Sequence, residues 1–118
     1  MDRRLTITVG NEDRTALKAR MMAAVGTGTY QGEFMSFATP ELLFTRLNDN
    51  RWKVLQALIG ASKTGVRELA RRVGRDVRRV HEDATILVDL GLVEKTDDGK
   101  VLCPFAEIHL DMRIKKAA

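Results

Sequence analysis

The sequence predicts an α+β fold that is mainly helical and carries β-strands near both ends. Three observations lead there. At the ends, RLTITVG alternates Leu5, Ile7 and Val9 with polar residues, and EIHLDMRI does the same with Ile108, Leu110, Met112 and Ile114. Such period-2 patterns mark strands with one apolar face. Between them, apolar residues recur at helical spacing in several segments that carry start or stop residues. Near the C-terminal end, Asp98 and Gly99 sit between LVEK and KVLC, the pattern of a two-residue hairpin turn.

In chain order, the first strand is followed by a helix over residues 11–25, with Leu17, Met21, Ala24 and Val25 in one stripe. GTGTYQG then reads as a flexible connection. Its Gly26, Gly28 and Gly32 have neither the spacing nor the preceding strand of a dinucleotide-binding loop. EFMSF reads as a short strand with Met35 and Phe37 on one face. In TPELLFTRL, Thr39 can cap a helix and Pro40 fits its first position, where a missing N–H costs nothing. Asn48 caps the next helix, in which Trp52, Leu55, Leu58 and Ile59 form a stripe ending at Gly60. The stripe makes Trp52 a core anchor rather than a base-stacking platform.

GVRELARRVG is a short helix with Val66, Leu69, Ala70 and Val73 facing inward and Gly74 as its stop. Asp76 caps the helix after it. On a wheel of about 100° per residue, Val77, Val80, Ala84, Leu87 and Val88 share one apolar arc. Arg78, Glu82 and Thr85 lie opposite, flanked by Arg79 and Asp89, while Ile86 points away from the arc and packs under the hairpin or against a partner. Two helices joined by a short glycine turn form a helix-turn-helix, and a following β-hairpin makes it a winged helix-turn-helix. The whole of 1–118 reads as a single domain: a strand–helix–strand–helix extension over 1–47, the winged helix-turn-helix over 48–103, and a C-terminal strand and tail over 104–118.

Charge is concentrated in one part of this frame. From Lys63 to Arg79, seven basic residues face two acidic ones, a local +5 in a chain whose total is +4. RRVGRDVRRVHED places Arg78 and Arg79 in a first helical turn, where the dipole disfavours cations by about 0.3 to 1 kcal/mol each. Duplex DNA would offset that cost, since first-turn arginines of such a helix can donate two hydrogen bonds to guanine and helix amides suit phosphate oxygens. On this reading Arg75, Arg78 and Arg79 contact bases or phosphates, and Glu82 and Thr85 tune the site. Lys63, Arg67, Arg71 and Arg72 hold phosphates. The TDDG tip is acidic, so Lys95 and Lys100 at its base are the phosphate contacts there, and Asp97 and Asp98 serve the turn.

The segment RELARRVGRDVRRVHEDATILVDLGLVEK resembles the helix-turn-helix and first wing strand of MarR-like winged-helix transcriptional regulators. With RLTITVG, SFATPELLFTRLNDNRWKVLQAL and PFAEIHLDMRI, nearly the whole chain is similar to a family of small prokaryotic DNA-binding regulators of this type. That resemblance implies DNA binding and control of transcription. It also implies a second possibility, since some such proteins are antitoxins encoded beside a toxin. It carries over no catalytic residues, and the acidic wing tip departs from what minor-groove contact needs.

The sequence also bounds the function. No apolar run approaches the roughly 18 residues of a membrane span, and MDRR has no apolar region behind it, so a cytoplasmic location is expected. The lone Cys103 excludes an internal disulfide or a cysteine zinc site. His81 and His109 have no serine or cysteine at a motif spacing, and Glu82, Asp83 and Asp89 balance the arginines rather than define a metal site. No enzymatic activity, cofactor or metal is expected. The expected partners are double-stranded DNA and a second copy of the chain, because such readers bind pseudo-palindromic sites as symmetric dimers. The C-terminal strand pairs with residues 5–9 of its own chain or meets a partner's strand across the dimer. The alternative is an antitoxin-type or adaptor module that binds another protein, with DNA binding secondary.

Overall fold

The computed structural model describes residues 3–10 and 32–114. The expected helix over 11–25 and the GTGTYQG connection lie outside the described residues. The described chain is α+β. Strands β1 (Arg4–Val9) and β2 (Glu33–Phe37) precede four helices, α1 (Pro40–Arg46), α2 (Asp49–Leu58), α3 (Val66–Val73) and α4 (Val77–Leu90). Three strands follow: β3 (Glu94–Lys95), β4 (Val101–Leu102) and β5 (Glu107–Met112).

Both end strands join one parallel sheet of order β2-β1-β5. Between the two pairings the sequence left open for the C-terminal strand, the fold uses the one within the chain. The register aligns Ile7 with Met35 on one side and Leu110 on the other, and Val9 with Phe37 and Met112. Residues in register share a face, so the alternation seen in three separate segments becomes one apolar surface. Leu5 and Ile7 at its centre are buried and join the helical core. Arg3 ties the sheet to the rest: its guanidinium donates to both carboxylate oxygens of Glu33 at 2.9 and 2.6 Å, lies 3.7 Å from Glu94 of β3, and covers the Phe105 ring.

The helix starts follow the sequence. Thr39 accepts a hydrogen bond from the Leu42 amide and Asn48 from the Arg51 amide, each satisfying a first-turn donor. In α2 the fully buried residues are Val54, Leu55 and Leu58, whereas Trp52 is only half-buried against the core edge. The stripe is therefore rotated toward Val54. Helices α2, α3 and α4 pack against one another. Gly74 ends α3 at φ +70°, a left-handed conformation that lets the Arg75 amide reach back to the Ala70 carbonyl at 3.1 Å.

The hairpin departs from expectation in two ways. Its strands are two residues each, and the connection is not a two-residue Asp98-Gly99 turn. Thr96 pairs with Lys100 instead, the Gly99 amide bonds the Thr96 carbonyl at 3.0 Å, and Gly99 takes φ +81°. A three-residue loop closed by a left-handed glycine gives the twist a short hairpin needs. Thr64, between α2 and α3, adds a bridge to Val101 with backbone hydrogen bonds of 2.8 and 2.9 Å. Nothing in the sequence pattern marked Thr64 for this role. No helix among the described residues is long and apolar enough to cross a membrane.

Candidate nucleic-acid interface

The candidate interface is built on α4. Its buried arc centres on Val80 and Leu87, takes in Ala84 and Asp83, and leaves Val77 exposed. This corrects the sequence wheel, which put Val77 in the apolar arc; Asp83, read from the sequence as balancing the arginines, does so from a buried position. The opposite face carries Arg78, Glu82 and Thr85, all exposed, with Arg79 and His81 exposed beside them. The Thr85 hydroxyl donates to the His81 carbonyl at 2.9 Å, so its oxygen can still act as an acceptor.

Asp83 explains its own burial. Its Oδ1 accepts from Arg51 Nε of α2 at 3.1 Å and its Oδ2 from Arg75 Nη1 at 2.7 Å. Arg51 also donates to the Thr45 and Arg46 carbonyls at the end of α1, at 3.3 and 3.0 Å. One carboxylate thus gathers α2, the α3–α4 turn and the end of α1. Arg75, expected at the DNA, is held in this network with its side chain 20% exposed, because the partner it needs is a buried charge. Arg51 was missed by sequence reading, since its partner lies 32 residues away.

The remaining arginines and lysines separate into paired and unpaired groups. Lys63 reaches across to the hairpin, where its Nζ lies 3.1 Å from Asp98 Oδ2. Arg71 and Arg72 both pair with Glu68, Arg72 Nε at 3.2 Å from Oε1, in exposed helix-surface contacts of little energetic weight. Arg67, Arg78, Arg79, Lys95 and Lys100 are exposed and form no ion pair among the described residues. Three of these five, Arg67, Arg78 and Lys100, line a single open groove of about 780 Å³. It runs between the start of α3, the first turn of α4 and the hairpin tip, and includes Val77 and His81.

Two anionic groups modify the picture read from sequence. Asp76 Oδ2 accepts from the amides of Arg78 and Arg79 at 3.1 and 3.3 Å. The α4 dipole therefore already has its anion, and those two amides are not free for phosphate. At the start of α3, by contrast, Gly65 provides no side-chain cap. Asp98 is the second group. The Thr96 hydroxyl donates to it and Lys63 lies beside it, and together they pull its carboxyl from 3.8 to about 2. The acidic tip is thus partly neutralised within the chain.

A pH dependence follows with a definite sign. A folded-state pKa below the unfolded one contributes stability that is present above about pH 4 and lost as pH falls through about 2. In a carboxyl-carbon NMR titration, Asp98 should titrate near 2 in the native chain and move up toward the ordinary carboxylate value in Thr96→Ala, with Lys63 still holding it low. An Asp98 midpoint unmoved by that substitution would refute the hydroxyl as the main cause.

Among the described residues, no three His, Cys, Asp or Glu side chains cluster in a way that could hold a metal ion. Cys103 is buried beside the Phe105 carbonyl, and burial raises its thiol pKa. No curated protein matches the chain. Residues 46–110 match the model of the HVO_A0114 family, a span that runs from the last residue of α1 through the three packed helices and the hairpin into β5. That span covers more than half of the 118 residues, and the chain belongs to the HVO_A0114 family.

Proposed function

We propose that the chain is a MarR-like winged helix-turn-helix protein that binds duplex DNA sequence-specifically, as a homodimer in the cytoplasm, and represses transcription. The carrying observation is the outer face of α4, where Arg78 and Arg79 stand exposed and unpaired beside a groove shared with α3 and the hairpin. The element order supports the reading: α2, the isolated Thr64 bridge, α3, α4 and then β3–β4 follow one another as in a winged helix. In it α4 enters the major groove, Arg78 and Arg79 read base edges, and Glu82 accepts from cytosine. Arg67, Lys95 and Lys100 hold phosphates, joined by Arg71 and Arg72 on exchange of Glu68 for phosphate. Lys63 acts by fixing the wing, and Arg75 by fixing the turn.

Fluorescence anisotropy tests this with the DNA upstream of the gene and a scrambled duplex of equal length, between about 50 and 200 mM salt. The expected result is a clear preference for the upstream duplex. With three phosphate-holding cations per protomer, Arg67, Lys95 and Lys100, and five once Arg71 and Arg72 join them, the log–log salt slope should lie between about −3 and −5 per protomer. Absence of binding to either duplex at the lowest salt defeats the proposal.

A second reading, an antitoxin-type or adaptor module, is favoured by one observation. Helix α1 exposes Leu42 and Phe44, two large apolar side chains outside the proposed DNA face. Co-expression with the product of an adjacent gene, followed by mass measurement of the purified species, distinguishes a stable hetero-complex from the chain by itself.

A further inference from the structure

The parallel sheet ends on β5, whose outer edge has no strand beside it among the described residues. Such an edge offers a row of backbone donors and acceptors and pairs readily with another chain unless it is blocked. Residues 107–114 contain no proline or lysine to block it. The strand carries apolar surface to this edge: Leu110 is 37% exposed and Ile114 just beyond it 85% exposed. Its polar side chains are idle as well. Glu107, His109, Asp111 and Arg113 are exposed and form no ion pair among the described residues.

We propose that a second copy of this chain covers that edge, β5 pairing antiparallel with β5 of the partner about a two-fold axis at Leu110. The two three-stranded sheets then form one sheet of six strands. The inference rests on the homodimeric reading above and names its surface. Its argument is the self-complementarity of the strand. With Leu110 opposite the partner's Leu110, Ile108 faces the partner's Met112, Glu107 faces the partner's Arg113 and His109 faces the partner's Asp111. Every apolar residue meets an apolar one and each acid meets a basic residue.

Neighbouring registers fail on the same strand. A slip of one residue sets apolar against polar side chains, because faces alternate with period two. A slip of two in one direction puts Glu107 opposite the partner's Asp111, and in the other Asp111 opposite the partner's Asp111. Like charges directly opposite are destabilising. The two-fold uses each edge once, so association closes at the dimer instead of continuing into a fibre.

Sedimentation equilibrium of the full chain without DNA, across micromolar concentrations, tests the surface. His109→Glu sets a carboxylate opposite the partner's Asp111 at two symmetric places and should raise the dimer dissociation constant about tenfold. Adding Asp111→Arg recreates opposite charges in both pairs and should return the constant to the wild-type value or below. On the β1 side, His109 and Asp111 align with Thr6 and Thr8, so the exchange leaves the sheet within the chain without a new charge conflict. Far-UV circular dichroism and melting of each variant establish that the protomer stays folded. A wild-type dimer indifferent to His109→Glu, or a double variant that remains weakened, overturns this surface while leaving homodimerisation intact. A wild-type chain that is monomeric throughout overturns both, and the anisotropy measurement on DNA is independent of either.

Discussion

Asp83→Ala should destabilise the fold by about 2 to 4 kcal/mol, the largest effect expected of any polar substitution here. The Asp83 side chain is 10% exposed and is the shared acceptor of Arg51 and Arg75, whose side chains are 18% and 20% exposed. Removing it leaves two guanidinium groups close together, partly desolvated and without their anion. Loss of one member of a buried pair costs about 3 to 5 kcal/mol, and the residual exposure of the arginines lowers the figure here. Urea unfolding followed by circular dichroism measures it. Replacing all three members by apolar residues of similar volume should cost less than Asp83→Ala by itself, because it removes the stranded charges too. A change below about 0.5 kcal/mol for Asp83→Ala would mean that the network contributes no more than an ordinary surface pair.

Arg78→Ala should leave the fold unchanged and cost about 1 to 3 kcal/mol in binding to the specific duplex, a loss of roughly 5- to 150-fold. Its side chain is exposed and has no ion-pair partner among the described residues, so nothing within the chain loses an interaction. A base-reading role predicts a loss confined to the specific duplex and a relaxed preference at one base pair. A phosphate-holding role predicts an equal loss on specific and scrambled duplexes and a salt slope shallower by about one. Arg75→Ala is the informative contrast. Its guanidinium donates to Asp83, so that substitution should lower stability first and weaken DNA binding only through the position of α4. Equal effects of Arg75→Ala and Arg78→Ala on DNA affinity, at unchanged stability, would return Arg75 to the interface.

Signals that act over a few residues are legible in the sequence. Thr39, Asn48 and Asp76 cap the helices they precede, since a capping side chain needs only the amides two or three positions on. Gly74 stops α3 because the left-handed turn required there is a property of the residue itself. The strands at both ends were legible from alternation, and the exposed face of α4 from its wheel. The hairpin was legible as a hairpin, but its loop type was not. Asp98-Gly99 is compatible with two-residue and three-residue connections, and the Thr96–Lys100 pairing selects the latter.

By itself, the sequence determined the positions and kinds of most described elements, the helix caps, and the concentration of positive charge between Lys63 and Arg79, all consequences of residues near one another along the chain. The tertiary structure decided which of those charges remain available. Arg75 is claimed by the buried Asp83, Lys63 meets Asp98 in an exposed pair, and Val77 is turned out of the core while Asp83 is turned in. It also decided that, among the described residues, β5 lies at the sheet edge, parallel to β1, with its self-complementary side chains unpaired. The physical reason is the same in each case. A charge or a strand edge is satisfied by whatever the fold brings within a few ångströms, and for Arg51 and Asp83, or Lys63 and Asp98, that partner lies more than thirty residues away along the chain.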